Sequence, residues 1–367
     1  MLALVTDAFG GHGGIAQYNR DFLSAVAQSG LVHSAIVLPR IAPGAVNSVP
    51  NGLVQMNAIK ARLAYALRAL VAALRTKPTI IFNGHIYHTP LSALLARIVG
   101  AKLISQLHGT EIWQPVPSKL RAALEKSDLV LTVSRHTRAQ ALAQLKIAPE
   151  KVVVVNNTVR AAFCPGDREA ARRRFGLGGE IALLTVSRLD ARHGYKGHDR
   201  VIQQLPRLLA KGYRAIYLIA GIGPDHERLA DLADGLGVSS HVRFLGKVDD
   251  ADLPDLYRAS DLFALPSTGE GFGIAFLEAM ACGTPAIGLA VGGAPDALAD
   301  GDLGACVSEH QFPEALEDAI RTCGQRPKRL AQEIDRRFGR KSFVNAIAAQ
   351  IALVLDAGQR AASNTAI

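Results

Sequence analysis

Short, almost uninterrupted apolar runs recur along the chain, separated by stretches in which apolar residues return every three or four positions. In the first half the runs are Leu2–Thr6, Ser34–Leu38, Thr79–Phe82, Lys102–Leu107, Leu129–Val133 and Val152–Val155. In the second half they are Ile181–Val186, Ala215–Ala220, Val242–Leu245, Leu262–Ala264 and Thr284–Gly288. So little polar alternation predicts strands covered on both faces, the condition of a parallel sheet. The periodic stretches between them predict the crossover helices that parallel strands require. Examples are Ile15–Gln28, Pro90–Val99, His198–Lys211, Asp225–Leu236, Leu253–Ala259 and Ala275–Ala281. The expected fold is α/β, with two Rossmann-like, doubly wound domains facing each other across a cleft. Residues 1–160 form the first domain and 161–342 the second. Asn156–Asp167, with Asn-Asn, a lone Phe163 and Cys-Pro-Gly, reads as the connection. Residues 343–367 carry a final apolar helix, Phe343–Leu355, expected to return to the N-terminal domain.

A length of 367 residues suits two or three domains. With 49% apolar and 20% charged residues the chain is neither disordered nor collagenous. No apolar run approaches the ~20 residues of a membrane span. No basic, apolar and small-residue succession opens the chain as a secretory signal does. The four cysteines have no close spacing, which argues against a disulfide framework or a zinc knuckle. The expected location is cytoplasmic, or peripheral on the cytoplasmic face of the inner membrane.

Charge separates the halves. Met1–Arg160 holds 17 Lys and Arg against 6 Asp and Glu, a net of +11, whereas the remainder nets −2. A single-sign field on one lobe implies an anionic partner such as a phospholipid, a nucleic acid or a phosphorylated substrate; simple solubility charge is the plainer explanation. Aromatic residues are only 5%, without aromatic–basic interleaving, which argues against nucleic acid. Within the basic half, Ile59–Lys77 places Ile59, Leu63, Leu67, Leu70, Val71 and Leu74 within about 120° of a helical wheel, with Arg68 and Arg75 just beyond. Such a stripe either packs on its own sheet or lies in an anionic membrane interface, arginine heads toward lipid phosphate.

Four constellations carry candidate chemistry. Gly10-Gly-His-Gly-Gly14 follows the first strand and opens a helix, where backbone N–H groups favour an anion. A dinucleotide site there wants an acid after the second strand, but that strand ends Leu38-Pro39-Arg40, so NAD is disfavoured and NADP remains. Ser187-Arg188-Leu189-Asp190 and Tyr195-Lys196-Gly197-His198-Asp199 set two cations at a strand's carboxyl end, suited to a diphosphate. Either cation alone reads as a solvated loop residue. Pro266–Met280 is a glycine-rich turn leading into a helix, with Glu270 on the turn and Glu278 within the helix. Two carboxylates invite a glycosidase reading. A Glu beside a helix start is instead expected to be held as the anion, which suits hydroxyl recognition, and the plainest reading of Glu278 is a surface residue. Lastly, His108-Gly-Thr-Glu111 ends a strand where function collects in such sheets; an isolated histidine there is more often structural.

Taken in order and spacing, these segments resemble the family 4 retaining glycosyltransferases of bacterial polysaccharide and glycolipid synthesis, with the GT-B fold. The resemblance runs through Gly10–Gly14, His108–Glu111, Thr132–Ser134, Ser187–Leu189, Lys196-Gly197, Ala220–Pro224 and Val242–Val248. Its most specific part is Glu270-Gly-Phe-Gly-Ile-Ala-Phe-Leu-Glu278, which looks like the family's E-x7-E signature. One departure is the eight-residue interval from Arg188 to Lys196, longer than is common, although Tyr195–Asp199 resembles a subgroup with that longer loop.

The resemblance implies a nucleotide-sugar donor, GDP-mannose or a UDP-sugar, and a lipid-linked or saccharide acceptor. By analogy Arg188 and Lys196 hold the diphosphate with backbone N–H groups of Gly271, Phe272, Gly273 and Ile274. Glu278 takes the ribose and Glu270 the sugar, while Gly246, Lys247 and Val248 lie near the base. Gly11, Gly13 and Gly14 approach the phosphates, and His108 faces the transferred sugar. His108, Glu270, Arg188 and Lys196 are the expected catalytic set. No metal or cofactor is expected, since preorganised cations and helix-end N–H groups can take a metal's place at the leaving diphosphate. An NADP-dependent oxidoreductase with two Rossmann-like sheets is the alternative; it leaves Glu270, Glu278, Arg188 and Lys196 without roles. A non-enzymatic sugar-binding module is a third reading, disfavoured because a periplasmic binder needs an export signal.

Overall fold

The structure, a computed structural model, describes residues 1–46, 48–190, 196–323 and 329–364, with side chains of the final helix described through Asp356. Tyr195 of the expected phosphate loop lies outside the described residues. The chain divides into two compact units, Met1–Thr158 joined by the chain from Lys341 onward, and Val159–Arg340.

Among the described residues the first unit holds a seven-stranded parallel sheet. Its strands are β1 (Leu2–Val5), β2 (Ala35–Pro39), β3 (Leu53–Gln55), β4 (Ile80–Asn83), β5 (Lys102–Leu107), β6 (Leu129–Thr132) and β7 (Val152–Val154), in spatial order β3-β2-β1-β4-β5-β6-β7. The second unit holds β8 (Ile181–Val186), β9 (Ala215–Ala220), β10 (Val242–Gly246), β11 (Leu262–Leu265), β12 (Ala286–Leu289) and β13 (Ala305–Val307), ordered β10-β9-β8-β11-β12-β13. Every recorded pairing is parallel, as the doubly covered apolar runs require. Both sheets reverse winding beside their first strand, between β1 and β4 and between β8 and β11. At such a point the carboxyl-end loops diverge and leave room for a ligand.

The sequence pattern omits β3 and β13. Each has three residues and lies at a sheet edge, where only part of the strand is buried, so neither produces a long apolar run. The final helix, Arg340–Asn364, buries Phe343, Ile347, Ile351 and Val354 at a helical repeat, with the Phe343 ring edge-on to Tyr18 at 6.1 Å.

The helix Arg62–Thr76 departs from a simple inward stripe. Tyr65, Ala69 and Ala73 are the buried positions, whereas Leu63, Leu67 and Leu74 are 87%, 63% and 51% exposed. Leu70 and Ile59 meet the core in part. A face of small residues lets the helix lie close to the sheet, and the Tyr65 hydroxyl donates to the Leu38 carbonyl at 2.8 Å. Ala69→Leu should therefore destabilise the chain by about 1–3 kcal/mol through overpacking. Leu67→Ser should change stability by less than about 0.5 kcal/mol, as at an ordinary surface site. Urea melts of the two variants would show the contrast, and equal losses would contradict it.

Candidate functional site

In the second unit, chemistry-bearing residues collect at the carboxyl ends of the strands. Ser187 and Arg188 follow β8. Arg188 is exposed, and no carboxylate neutralises it among the described residues. Behind it, Ser187 Oγ meets His198 Nε2 at 2.9 Å, and the other ring nitrogen lies 3.1 Å from the Tyr217 hydroxyl. Tyr217 in turn meets Thr185 Oγ1 at 2.6 Å. Burial pushes His198 down to about 4, so the ring is neutral at pH 7 and bridges its two hydroxyl partners without charge.

The loops at this edge touch backbone to backbone. Gly221, after β9, has φ 149°, and a Cβ there would fall 1.8 Å from the Ser187 carbonyl oxygen. Its N–H donates to the Gly246 carbonyl at 2.8 Å, drawing in the loop of Gly246, Lys247 and Val248 after β10. Gly293, after β12, donates to the Glu270 carbonyl at 2.7 Å, and a Cβ there would lie 2.0 Å from the Gly271 oxygen. Only glycine fits such approaches.

Lys196 and Glu270, far apart in sequence, meet as an ion pair with Nζ 2.6 Å from Oε1, and the carboxylate is nearly buried. The turn then passes Gly271, Phe272 and Gly273 into the helix Ile274–Ala281. Phe272 is buried against Phe338, so its side chain belongs to the core and only its backbone faces the turn. The helix starts at Gly273 with no capping side chain and no acid in its first turn, leaving a positive end toward the glycine-rich turn.

Glu278 is the chief correction to the sequence reading. Its side chain is only 13% exposed, not a surface group, and burial pushes it up to about 7 rather than holding it as the anion. Its Oε2 accepts from the Tyr257 hydroxyl at 3.0 Å and Oε1 lies 3.5 Å from Arg160 Nη2, both of which oppose that rise. Arg160 also pairs with Asp250 at 3.0 Å and lies over the Phe163 ring at 4.8 Å. The sequence reading took Arg160 and Phe163 for linker residues. The signal that marks them is a cation three positions before an aromatic ring within an otherwise polar connection.

The remaining candidates lie on the first unit. Gly13, with φ 86°, precedes the uncapped helix Gly14–Ser29; Gly13 and Gly14 are exposed and Gly11 is buried. Arg20, also missed, donates through Nη1 to the carbonyls of Gly11 at 2.6 Å and Ala8 at 3.0 Å, which braces the loop. His108 follows β5 with its ring edge-on to Tyr18 at 5.2 Å. Its Nε2 donates to the Gly84 carbonyl at 2.9 Å, and burial pushes it down to about 4. The imidazole is thus neutral, with Nδ1 as an acceptor.

Two family descriptions match the chain in succession: "Glycosyltransferase Family 4" over residues 12–163 and "Glycosyl transferases group 1" over residues 167–340. The chain belongs to this glycosyltransferase family. Among curated relatives, a GDP-mannose-dependent alpha-(1-6)-phosphatidylinositol monomannoside mannosyltransferase of Mycolicibacterium smegmatis is 34% identical over 258 residues, 66% of each chain. A D-inositol 3-phosphate glycosyltransferase of Mycobacterium tuberculosis is 35% identical over 62% of this chain and 48% of its own. The match thus spans just under two-thirds of the first relative's length and about half of the second's.

Anabaena HepE in complex with UDP-glucose superposes with a TM-score of 0.76 at 21% identity, over 96% of this chain and 99% of that one. WaaG, a glycosyltransferase involved in lipopolysaccharide biosynthesis, gives 0.67 at 22% identity, over 96% and 98%. The two parallel, Rossmann-like sheets are those of the GT-B glycosyltransferase fold. The oxidoreductase alternative finds no support among these family members.

A carboxyl whose folded-state value is raised favours folding while it is protonated and loses that contribution as pH climbs through the folded value. Thermal stability should therefore fall between pH 5 and pH 8 by on the order of 3 kcal/mol at most, from Glu278 alone, at ~1.4 kcal/mol per unit. Glu278→Gln should flatten that slope in calorimetric scans, and an unchanged slope would show that Glu278 is not its source.

Proposed function

We propose that this glycosyltransferase moves a hexosyl residue from a nucleoside-diphosphate sugar to a lipid-linked or saccharide acceptor, with retention of anomeric configuration and without a metal. The observation that carries the reading is the convergence at the β8–β11 switch point. Arg188 follows β8 with no ion pair among the described residues, and the Glu270 carboxylate paired to Lys196 and the uncapped helix start follow the neighbouring strand β11. The relatives' names favour GDP-mannose, or a UDP-sugar as in the HepE complex, as donor.

Cleaving the anomeric C–O bond leaves negative charge on the departing diphosphate. Arg188, Lys196 and the N–H groups of Gly271–Ile274 are the groups assigned to that charge, already oriented before reaction. Lys196 sits on Glu270 in the free protein, so phosphate binding shares its three donors between carboxylate and phosphate. This couples the leaving group to Glu270, assigned to the sugar. Glu278 is assigned to the ribose hydroxyls. Near neutral pH it can accept or donate, depending on its proton. The base falls to Gly246–Val248, and the first unit takes the acceptor, with His108 offering Nδ1 to a sugar hydroxyl. In front-face transfer the acceptor hydroxyl attacks as the phosphate leaves, and its proton passes to a phosphate oxygen. We assign the chain to cell-surface polysaccharide or glycolipid synthesis, a reading the relatives' names favour, and to the cytoplasm or the inner face of a membrane; among the described residues no helix is long and apolar enough to cross a bilayer.

A panel of nucleotide sugars should raise the thermal midpoint for the cognate donor while NADPH does not; protection by NADPH alone would overturn the reading. Arg188→Ala should lower turnover about 10²–10³-fold, the usual effect of removing one preorganised donor. Chelation by EDTA should leave wild-type turnover unchanged, and its loss would contradict metal independence.

A further inference from the structure

Arg160 stands at the start of the second unit, outside every helix and strand. Its guanidinium spans two carboxyls that arrive from different elements. Nη1 donates to Asp250 Oδ2 at 3.0 Å, in the loop that follows β10. Nη2 lies 3.5 Å from Glu278 Oε1, in the helix that follows β11. The buried Phe163 ring lies 4.8 Å from the guanidinium and edge-on to Tyr257 at 5.8 Å. Tyr257, from the helix Leu253–Ala259, donates its hydroxyl to the other Glu278 oxygen at 3.0 Å. A cation and a phenol thus hold the two oxygens of one carboxyl, and a single ring braces both.

The two carboxyls on Arg160 differ in their access to water. Asp250 is 71% exposed and Glu278 only 13%. Water screens the first, whereas the second depends on the charges that face it. The groups facing Glu278 are Arg160 on the connecting segment, Tyr257 on the neighbouring helix, Asp250 in the β10 loop and Cys282 at the end of its own helix. Burial raises Glu278 to about 7; Arg160 is the strongest influence against that rise, and Asp250 adds to it.

A carboxylate has about four acceptor positions, and a carboxylic acid uses one of its oxygens as a donor instead. Arg160 and Tyr257 take one position on each Glu278 oxygen, which leaves one on each for a vicinal diol. We infer that Arg160 is a positioning residue for the nucleotide-sugar donor: it holds the Glu278 carboxyl in place for the ribose hydroxyls and, through Asp250, ties that carboxyl to the loop assigned to the base. The same contact favours the carboxylate, the form that accepts from both hydroxyls. The inference rests on the reading in which Glu278 takes the ribose, and it gives the connecting segment a part in donor affinity.

Calorimetric titration between pH 5.5 and pH 9 tests this, with GDP-mannose or UDP-glucose, whichever binds the wild type more tightly. The wild-type Kd should be low at alkaline pH and rise as pH falls through a midpoint near 7. Arg160→Gln should move that midpoint to higher pH by about one unit, the usual effect of losing one adjacent opposite charge. Its Kd should then be about fivefold weaker at pH 7 and within about twofold of the wild type at pH 9. Arg160→Lys, which keeps the charge, should bring the midpoint back toward the wild type. Asp250→Asn, at an exposed position, should move it the opposite way, because the substitution removes an anion that competes for the guanidinium. A merely structural role for Arg160 would weaken binding equally at every pH. A midpoint unmoved by Arg160→Gln, or moved upward by Asp250→Asn, would overturn the proposal. A pH dependence that survives Glu278→Gln would strike the ribose assignment and the proposal with it. Failure of both nucleotide sugars to bind the wild type would instead strike the donor reading.

Discussion

Backbone packed directly on backbone, at the carboxyl edge of the second sheet, is the constraint on which the candidate donor site rests. Gly221 lies against the Ser187 carbonyl and Gly293 against the turn at Glu270–Gly271, at separations that exclude a side chain. The contacts bind the loops after β8, β9 and β10 into one group and those after β11 and β12 into another, and the Lys196–Glu270 ion pair joins the two. Arg188, Lys196 and Glu270 are long or charged side chains that would otherwise sample many positions, and ordering them costs on the order of 1–2 kcal/mol of side-chain entropy each. Fixing the backbone beneath them limits that freedom before a ligand arrives. The buried His198, Tyr217 and Thr185 extend the same support into the core through directional hydrogen bonds.

The electrostatics follow from that packing. Lys196 and Glu270 form an ion pair across the turn, and Arg188 is exposed, with no ion pair among the described residues. Glu278 differs. It is drawn far enough inward that desolvation outweighs Arg160 and the Tyr257 hydroxyl together, and it titrates near neutrality. Two carboxyls eight residues apart thus enter the site in different surroundings: one ion-paired with a lysine, the other a proton-sensitive group held by a phenol. On the proposed mechanism, that division separates orientation of the sugar from recognition of the ribose.

Much of this was legible in the chain itself. Parallel strands buried on both faces leave long apolar runs, and glycine-rich turns before helices leave spacing motifs, so both sheets and the Glu270–Glu278 segment could be read directly. The edge strands β3 and β13 were not legible, since three half-covered residues carry no periodicity. The ionisation of Glu278 was not legible either. Helix position alone suggests an anion, whereas burial outweighs Tyr257 and Arg160, which oppose the rise from 21 positions away and from the start of the second unit. Arg20 escaped notice for a related reason: what it braces is a pair of carbonyls, and carbonyls have no sequence signature.

The helix Arg62–Thr76 shows why an amphipathic pattern alone does not give orientation. Leucine outranks alanine on any hydrophobicity scale, so burial energy by itself favours turning the leucines inward. Close packing favours the opposite choice here. Tyr65, Ala69 and Ala73 let the helix lie near β1 and β2 and bring the Tyr65 hydroxyl to Leu38. With small residues inside, Leu63, Leu67 and Leu74 have no protein surface to cover and remain in water. The same orientation leaves Tyr65 as the platform under Arg40, and Tyr65 and Arg62 line a cavity beside it. A polar chamber and an apolar rim are therefore two consequences of one packing decision.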